Sequence, residues 1–261
     1  MSETNGEQST RRQESKSAIS RDQYDAVLLD LDGVITDTAS VHAACWKQMF
    51  DEYLQKRAAQ RGEAFRPFDI ATDYRLYVDG KPRYDGVRDF LTSRGIQLPE
   101  GSADDPPEAE TVDGLGNRKN ELVNKIIEEK GVEPYPGSVE LIRQLRHREF
   151  KIAVVTSSQN CTAVLKAAKV DHLFDVQVDG NVIHAQHLAG KPAPDSYLIA
   201  AKLLGVEPAR AIVIEDALSG VEAGRNGNFG LVIGVARKGN AEELRRHGAD
   251  LVVNDLGELV S

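Results

Sequence analysis

The chain has 261 residues, of which 41% are hydrophobic, enough for one large domain or two modest ones with a substantial core. It carries 32 Lys and Arg against 41 Asp and Glu, and this formal charge of −9 argues against a general nucleic-acid or membrane-surface binder, although a local basic pocket stays open. With only two distant cysteines, Cys45 and Cys161, neither a disulfide framework nor a zinc site is predicted, and a reducing, cytoplasmic location is expected.

The amino-terminal segment, "MSETNGEQSTRRQESKSAIS", is polar and lacks the apolar block of a signal peptide. We predict a disordered tail over residues 1–22. No stretch of about 18 apolar residues follows, so no membrane span is predicted. The first apolar run, "AVLLD", ends at Asp30 and has the length of a buried strand.

The section after this first strand shows helical periodicity and no buried-strand pattern. Amphipathic helices are predicted over 40–60, 85–95 and 117–131, and a polar linker over 98–110 separates the last two. We therefore predict a helical domain over residues 41–132.

The rest of the chain alternates apolar runs with helical patterns. Continuous runs of Val, Ile and Leu are typical of parallel strands that are buried on both faces. Pro194 and Gly205 are a start and a stop expected of a helix. The predicted strands are 151–158, 210–216, 229–235 and 249–253, and the predicted helices are 137–148, 194–204 and 219–226. We predict an α/β fold, with a doubly wound, mostly parallel Rossmann-like core over 23–40 and 133–261 and the helical domain inserted after the first strand.

Polar side chains follow three of the predicted strands, and one lysine lies just before a predicted helix. Ligands of α/β sheets bind beyond the carboxyl ends of the strands, so these groups are expected to converge. Residues two apart on an extended chain point the same way, which lets Asp30 and Asp32 share one crevice. The converging set is Asp30, Asp32, Thr156, Ser157, Ser158, Lys191, Glu215 and Asp216.

Four carboxylates in one crevice require cations. Two like charges about 4 Å apart repel by roughly 4 kcal/mol at an effective dielectric constant near 20. Lys191 supplies one cation, and Mg²⁺ suits an oxygen-rich site that also binds phosphate. The hydroxyl and backbone N–H groups after the second strand can hold phosphate oxygens. The residues therefore predict a magnesium-dependent site for a phosphoryl group.

Taken singly, each of these residues also has a simpler structural interpretation, which stays open. An Asp-x-Asp pair also fits a solvated turn, and Glu215 with Asp216 also fits a helix cap. Lys191 alone fits a surface lysine, and the residues from Thr156 to Ser158 fit an N-cap. An EF-hand loop is excluded, because it needs an oxygen ligand and a glycine where Val34 and Ile35 stand. The remaining candidates include His42, which also fits a partly buried histidine, and Trp46, which also fits a core residue.

Together these stretches resemble the four motifs of the haloacid dehalogenase superfamily. "DLDGVITDT" resembles the first motif, "VVTSS" the second, the lysine of "GKPAPD" the third and "IEDALSGVEAG" the fourth. All four occur in order between residues 26 and about 235. The helical insert corresponds to the cap of that superfamily.

Further stretches of the sequence resemble the beta-phosphoglucomutase family. "DGVITDTASVHAACWK" is similar to the opening of that family, including Thr38, His42 and Trp46. "DGKPRYDGVRDFL" resembles its cap loop, whose phosphate-binding arginine is Arg83 here, and "RKN" resembles a cap-helix stretch that contributes Lys119. Ser158 and Asn160 come from "SSQN". The sequence departs from the family at Asp79, where some relatives carry lysine, and at Thr156, which replaces a serine.

The resemblance implies a reaction and a role for each residue. Asp30 is the implied nucleophile that forms an aspartyl phosphate, and Asp32 is the general acid and base. Lys191 and Thr156 complete the catalytic set. The implied metal ligands are Asp30, the Asp32 carbonyl and Asp216, with Glu215 close by; the implied substrate contacts are Thr38, His42, Trp46, Arg83, Lys119, Ser158 and Asn160.

The implied reaction interconverts beta-D-glucose 1-phosphate and D-glucose 6-phosphate through glucose 1,6-bisphosphate. The alternative is a Mg²⁺-dependent sugar-phosphate phosphatase on the same scaffold. A silent phosphate-binding module would lack Asp30, Asp32 or Lys191, and all three are present. We expect a monomer that acts on a small phosphosugar and binds neither nucleic acid nor membrane.

Overall fold

The structure is a computed structural model that describes residues 19–237 and 239–260. The predicted polar tail therefore lies outside the described residues as far as residue 18. Ile19, near the end of that tail, is 3% exposed, and its carbonyl accepts a hydrogen bond of 2.5 Å from Arg148 Nη2. Ile19 is therefore packed into the protein, ahead of the first strand.

The described residues form a six-stranded sheet in which all neighbouring strands run parallel. Its strands are β1 (Ala26–Leu29), β2 (Lys151–Val155), β3 (Val176–Val178), β4 (Ala211–Glu215), β5 (Leu231–Val235) and β6 (Leu251–Val253). The strand order is β3-β2-β1-β4-β5-β6, which places β1 between β2 and β4. This arrangement confirms the predicted parallel α/β fold.

The edge strand β3 is missing from the sequence prediction, which gives five strands. It has three residues with the polar Gln177 in the middle, and within the described part of the chain it pairs with β2 alone. Gln177 Nε2 donates to Thr162 Oγ1 at 2.8 Å and to Asp179 Oδ2 at 2.9 Å. A strand this short and polar lacks the apolar run by which the other strands are predicted.

The helices include those that the sequence predicts, and the structure adds some shorter ones. They are α1 (Ala39–Arg61), α2 (Arg83–Ser93), α3 (Val112–Lys130), α4 (Pro136–His147), α5 (Cys161–Ala167), α6 (Gly180–Ala185), α7 (Asp195–Leu204), α8 (Leu218–Asn226) and α9 (Ala241–Arg246). As predicted, α7 follows Pro194 and stops at Gly205, whose φ is +64°. None of the helices in the described part of the chain has both the length and the hydrophobicity needed to cross a bilayer.

The chain divides into two compact units, Thr38–Val132 and the described residues before and after it. The helical unit contains α1, α2, α3 and a π-helix, Ile70–Val78, that the sequence pattern does not predict. Its core is aromatic: the Phe50 ring lies 5.3 Å from Trp46 and 4.2 Å from Phe90, between ring centroids. The function of this unit as a cap stays a prediction.

Candidate active site

The nucleophile candidate lies at the carboxyl end of the central strand. Asp30 follows β1 directly, and its N–H donates to the Ile214 carbonyl of β4 at 3.0 Å. The residue is 6% exposed. Pairing with the neighbouring strand therefore fixes the backbone from which the carboxylate projects.

The loop after Asp30 is a tight turn. The Asp32 N–H donates to Asp30 Oδ2 at 2.9 Å, and the Gly33 N–H donates to the Thr36 carbonyl at 2.8 Å. Gly33 has φ +91°, and a Cβ atom there would lie 2.2 Å from Asp216 Oδ2. Only glycine therefore allows both the turn and the close approach of the Asp216 carboxylate.

Lys191 joins the carboxylates of two strands. Its Nζ donates to Asp30 Oδ1 at 2.7 Å, to Glu215 Oε1 at 2.6 Å and to the Val155 carbonyl at 3.2 Å. The Lys191 side chain is fully buried. Burial alone would lower the pKa of Lys191, but the charges of Asp30 and Glu215 raise it above its usual value. Burial raises the pKa of Asp30, and the Lys191 ammonium opposes that shift.

Glu215, the last residue of β4, is held by four donors among the described residues. Lys191 Nζ and Tyr197 Oη donate to Oε1, the latter at 2.8 Å. The N–H groups of Asp216 and Ala217 donate to Oε2 at 3.1 and 3.2 Å. These contacts satisfy a fully buried carboxylate, which would otherwise be costly to keep ionised.

Tyr197 and Gly220 belong to this site but are not predicted from the sequence. Burial, followed by the charge of Glu215, raises the pKa of Tyr197, so its phenol remains a donor. A Cβ atom on Gly220 would lie 1.8 Å from Glu215 Oε1. The available signal for Tyr197 is a tyrosine on the buried face of a predicted helix, because buried tyrosines usually have a hydrogen-bond partner.

The loop after β2 lines the same end of the sheet. Thr156 Oγ1 donates to Asp32 Oδ2 at 3.4 Å and accepts from the Ser158 N–H at 3.1 Å. Ser158 Oγ accepts from the Asn160 N–H at 3.2 Å. The structure therefore joins this predicted hydroxyl cluster to the first motif through Thr156 and Asp32.

The carboxylates fit a divalent cation. Oxygen atoms of Asp30, Glu215 and Asp216 lie within 4.8 Å of one another, and all three residues are buried. Lys191 neutralises only part of this charge, and a hard dication with oxygen ligands suits the rest. Because Glu215 already accepts four hydrogen bonds, Asp30 and Asp216 are the better-placed direct ligands. The contribution of the Asp32 carbonyl stays a prediction.

Three predicted residues of the helical unit lie together on α1 and α3. Lys119 Nζ lies 2.6 Å from His42 Nδ1 and 5.0 Å from the centroid of the Trp46 ring. An ammonium can only donate, so His42 Nδ1 accepts this hydrogen bond. Thr38, which precedes α1, is buried, and its carbonyl accepts from the His42 N–H at 2.9 Å.

Arg83 lies elsewhere in the helical unit, at the start of α2. Its Nη1 is 3.5 Å from Asn117 Oδ1, and its Cζ lies 5.5 Å from the centroid of the Tyr84 ring. Burial lowers the pKa of Arg83 below its usual value. Whether Arg83 and Lys119 serve the site at the end of the sheet stays a prediction.

Comparison with known proteins assigns the family. A family model described as haloacid dehalogenase-like hydrolase matches residues 24–228. The chain is 54% identical over 238 residues to a protein of Mycobacterium bovis named beta-phosphoglucomutase, covering 90% of this chain and 91% of that protein. The Bacillus subtilis protein of the same name is 31% identical over 238 residues, covering 90% and 91%.

A solved structure of a beta-phosphoglucomutase from Clostridium difficile is also similar. It has a TM-score of 0.71 and 26% identity, and the match covers 90% of this chain and 93% of that one. This chain belongs to the haloacid dehalogenase-like hydrolases and, among them, to the beta-phosphoglucomutase family.

Proposed function

We propose that this protein interconverts beta-D-glucose 1-phosphate and D-glucose 6-phosphate through glucose 1,6-bisphosphate and a phosphorylated Asp30. The observation that carries the proposal is the buried contact of 2.7 Å between Lys191 Nζ and Asp30 Oδ1. It places a cation at a carboxylate whose other oxygen is held by the Asp32 N–H. A carboxylate oriented in this way is suited to attack a phosphoryl group.

We propose Mg²⁺ as the cofactor, held by Asp30, Asp216 and the Asp32 carbonyl. When bound, Mg²⁺ would neutralise charge on the carboxylates and on the phosphoryl oxygens. The ligands support this assignment, since every side-chain ligand in the set is a carboxylate. Glu215 would act through Lys191, whose position it fixes at 2.6 Å.

Asp32 is proposed as the proton carrier. In the first transfer, an Asp30 oxygen forms a bond to phosphorus, the bond from phosphorus to the sugar oxygen breaks, and Asp32 gives that oxygen a proton. In the second transfer, another sugar hydroxyl attacks phosphorus, Asp32 takes its proton, and the bond to Asp30 breaks. The hydrogen bond from Thr156 Oγ1 supports this role, because it orients the Asp32 carboxylate.

The bisphosphate requires two phosphate-binding groups. We propose that Ser158, Asn160 and Lys191 bind the phosphate that is transferred. Arg83 suits the second phosphate, because its planar guanidinium can donate to two phosphate oxygens at once. We assign the sugar hydroxyl contacts to Thr38, His42, Trp46 and Lys119. We further propose that the protein acts as a cytoplasmic monomer, and sedimentation of the full chain tests the monomer.

Trapping the phosphorylated enzyme tests the covalent step. Wild-type protein and Asp30→Asn are incubated with Mg²⁺ and glucose 1,6-bisphosphate, quenched in acid and digested for mass spectrometry. We expect one added phosphate on the peptide that contains Asp30 in the wild type and none in Asp30→Asn. Asp22→Asn, which alters an exposed aspartate of the same chain segment, serves as the matched control. Equal labelling of Asp30→Asn, or labelling of another residue, would refute the covalent role of Asp30.

A further inference from the structure

Arg237, which follows β5, contacts three separate segments of the chain. Its Nε donates to the Gly33 carbonyl at 3.1 Å, its Nη1 forms an ion pair with Asp255, and its Nη2 lies 3.4 Å from Ser138 Oγ. Its side chain is 17% exposed. No sequence motif described above contains this arginine.

The hydrogen bond from Arg237 restrains Gly33, the residue with the greatest backbone freedom in the loop that carries Asp32. Glycine has few steric limits on its backbone, so a glycine with φ +91° needs other contacts to keep one conformation. The Gly33 N–H is held by the Thr36 carbonyl, and the Gly33 carbonyl is held by Arg237. Both sides of this residue are therefore fixed, and the Asp216 carboxylate packs directly against it.

Arg237 also lies against the segments that lead out of this unit and back into it. Its Cζ is 3.6 Å from the centroid of the Tyr135 ring, and Tyr135 Oη donates to Asp37 Oδ1 at 2.8 Å. Backbone hydrogen bonds join the two segments, from Asp37 N–H to the Glu133 carbonyl at 3.0 Å and from Tyr135 N–H to the Ile35 carbonyl at 2.9 Å. The guanidinium thus connects the Gly33 turn to both segments.

The ion-pair partner of Arg237 is Asp255, which lies in a turn late in the chain. Asp255 Oδ1 accepts from the Gly257 N–H at 2.7 Å, at the start of the short 3₁₀ helix Leu256–Leu259. A Cβ atom on Gly137 would lie 2.1 Å from that oxygen, so the start of α4 packs closely against the turn. Asp255 is therefore a fixed anchor for Arg237.

We propose that Arg237 is a positioning residue for phosphoryl transfer, which holds the Asp30–Gly33 loop in place by fixing the Gly33 carbonyl against Asp255 and Tyr135. The proposal rests on the function assigned above to that loop. Loss of the guanidinium would release the Gly33 carbonyl, leave the hydrogen bond from the Gly33 N–H to Thr36 to hold the turn, and let the adjoining Asp32 carbonyl, which we assign to Mg²⁺, shift. Groups that orient metal ligands commonly change affinity or activity by about 10- to 100-fold.

The test compares full-length Arg237→Ala with Arg225→Ala. Arg225 is a matched control, because it also pairs with an aspartate, Asp250, and donates to a glycine carbonyl, that of Gly248, at 2.8 Å. Titration calorimetry with Mg²⁺ alone is expected to show an about 10-fold higher Kd for Arg237→Ala. We also expect kcat to fall about 10- to 100-fold in this variant, with KM for beta-glucose 1-phosphate changed less than about twofold. Arg225→Ala should match the wild type in all three values.

Two further measurements separate positioning from general stability. Millimolar guanidinium should restore part of the kcat of Arg237→Ala, whereas the same concentration of urea should not. Arg237→Lys keeps a charge for Asp255 but lacks the planar fork, so it should show the same loss, and it carries the test if Arg237→Ala does not fold.

Unchanged Mg²⁺ affinity and kcat in folded Arg237→Ala or Arg237→Lys would overturn the proposal, and so would equal losses in Arg225→Ala. A wild type without mutase activity would instead refute the proposed function, because the Mg²⁺ titration does not depend on the reaction.

Discussion

Lys191 Nζ donates to Asp30 Oδ1 across 2.7 Å, although 161 residues separate the two in the chain. The lysine also contacts Glu215, so one ammonium lies between two buried carboxylates. Such a group is stable only as a complete unit, because removal of the cation leaves two like charges without a partner. Glu215 also accepts from Tyr197, so its contacts hold the lysine in place, while Asp30 is the carboxylate that we propose as the nucleophile.

Lys191→Met should therefore destabilise the protein as well as inactivate it. We expect the free energy of unfolding to fall by about 3–5 kcal/mol, since a buried ion group loses one partner. Urea unfolding followed by circular dichroism measures this value. Lys202→Met changes an exposed lysine on α7 and should stay within about 0.5 kcal/mol of the wild type. A loss below about 1 kcal/mol in Lys191→Met would contradict the ion-group account.

Asp216→Ala should raise the Mg²⁺ concentration needed for half-maximal activity. Its carboxylate lies with those of Asp30 and Glu215 within 4.8 Å, and loss of one of these ligands weakens binding of the dication. Activity measured against Mg²⁺ concentration gives this value, and chelator should abolish activity in the wild type. Full activity in excess chelator would rule out the metal.

Arg83→Ala should weaken binding of glucose 1,6-bisphosphate by about 1.5–3 kcal/mol, or roughly 10- to 150-fold, because a charge-assisted contact to phosphate is lost. Mutase flux should fall more than release of inorganic phosphate, and hydrolysis of small phosphomonoesters should change little. The measurement is the ratio of isomerised sugar to free phosphate. Arg61→Ala, at the exposed end of α1, is the control. An unchanged ratio in an active Arg83→Ala protein would dismiss Arg83 as a phosphate ligand.

The Arg237–Asp255 pair predicts a dependence of stability on pH. Burial alone would raise the pKa of Asp255, but the hydrogen bond and charge of Arg237, together with the hydrogen bond from the Gly257 N–H, outweigh burial and place the pKa below its usual value. A lowered folded-state pKa contributes stability in full above the unfolded value of about 3.9, and this contribution is lost as pH falls through the folded value. The difference in unfolding free energy between wild type and Arg237→Gln should therefore shrink between pH 7 and about pH 3. A constant or growing difference in urea unfolding would contradict this coupling.

The sequence predicts the fold and the core of the site because both follow from local sequence patterns, namely apolar runs and the polar residues at their ends. Continuous apolar runs mark β1, β2, β4 and β5, and parallel strands bring their carboxyl ends to one edge. Polar residues at those ends, such as Asp30 and Glu215, are then expected to meet, and the structure brings them together around Lys191. The family and the parallel α/β core are confirmed.

Other features of the structure have no pattern in the sequence from which they could be predicted. The edge strand β3 is too short and too polar to read as a strand, and the π-helix Ile70–Val78 does not follow the 3.6-residue period. Tyr197 and Arg237 act through partners that are distant in sequence, so their contacts with Glu215 and Gly33 follow from tertiary packing alone. The positions of Arg83 and Lys119 relative to the substrate stay predictions.

The most direct test of the proposed function follows the products of wild-type protein incubated with Mg²⁺, beta-glucose 1-phosphate and a trace of glucose 1,6-bisphosphate. Glucose 6-phosphate and inorganic phosphate are quantified together over time. A mutase converts most of the substrate into glucose 6-phosphate, with free phosphate limited to slow loss from phosphorylated Asp30. If the primed reaction yields free phosphate and glucose without glucose 6-phosphate, the protein is a sugar-phosphate phosphatase and the mutase proposal is wrong.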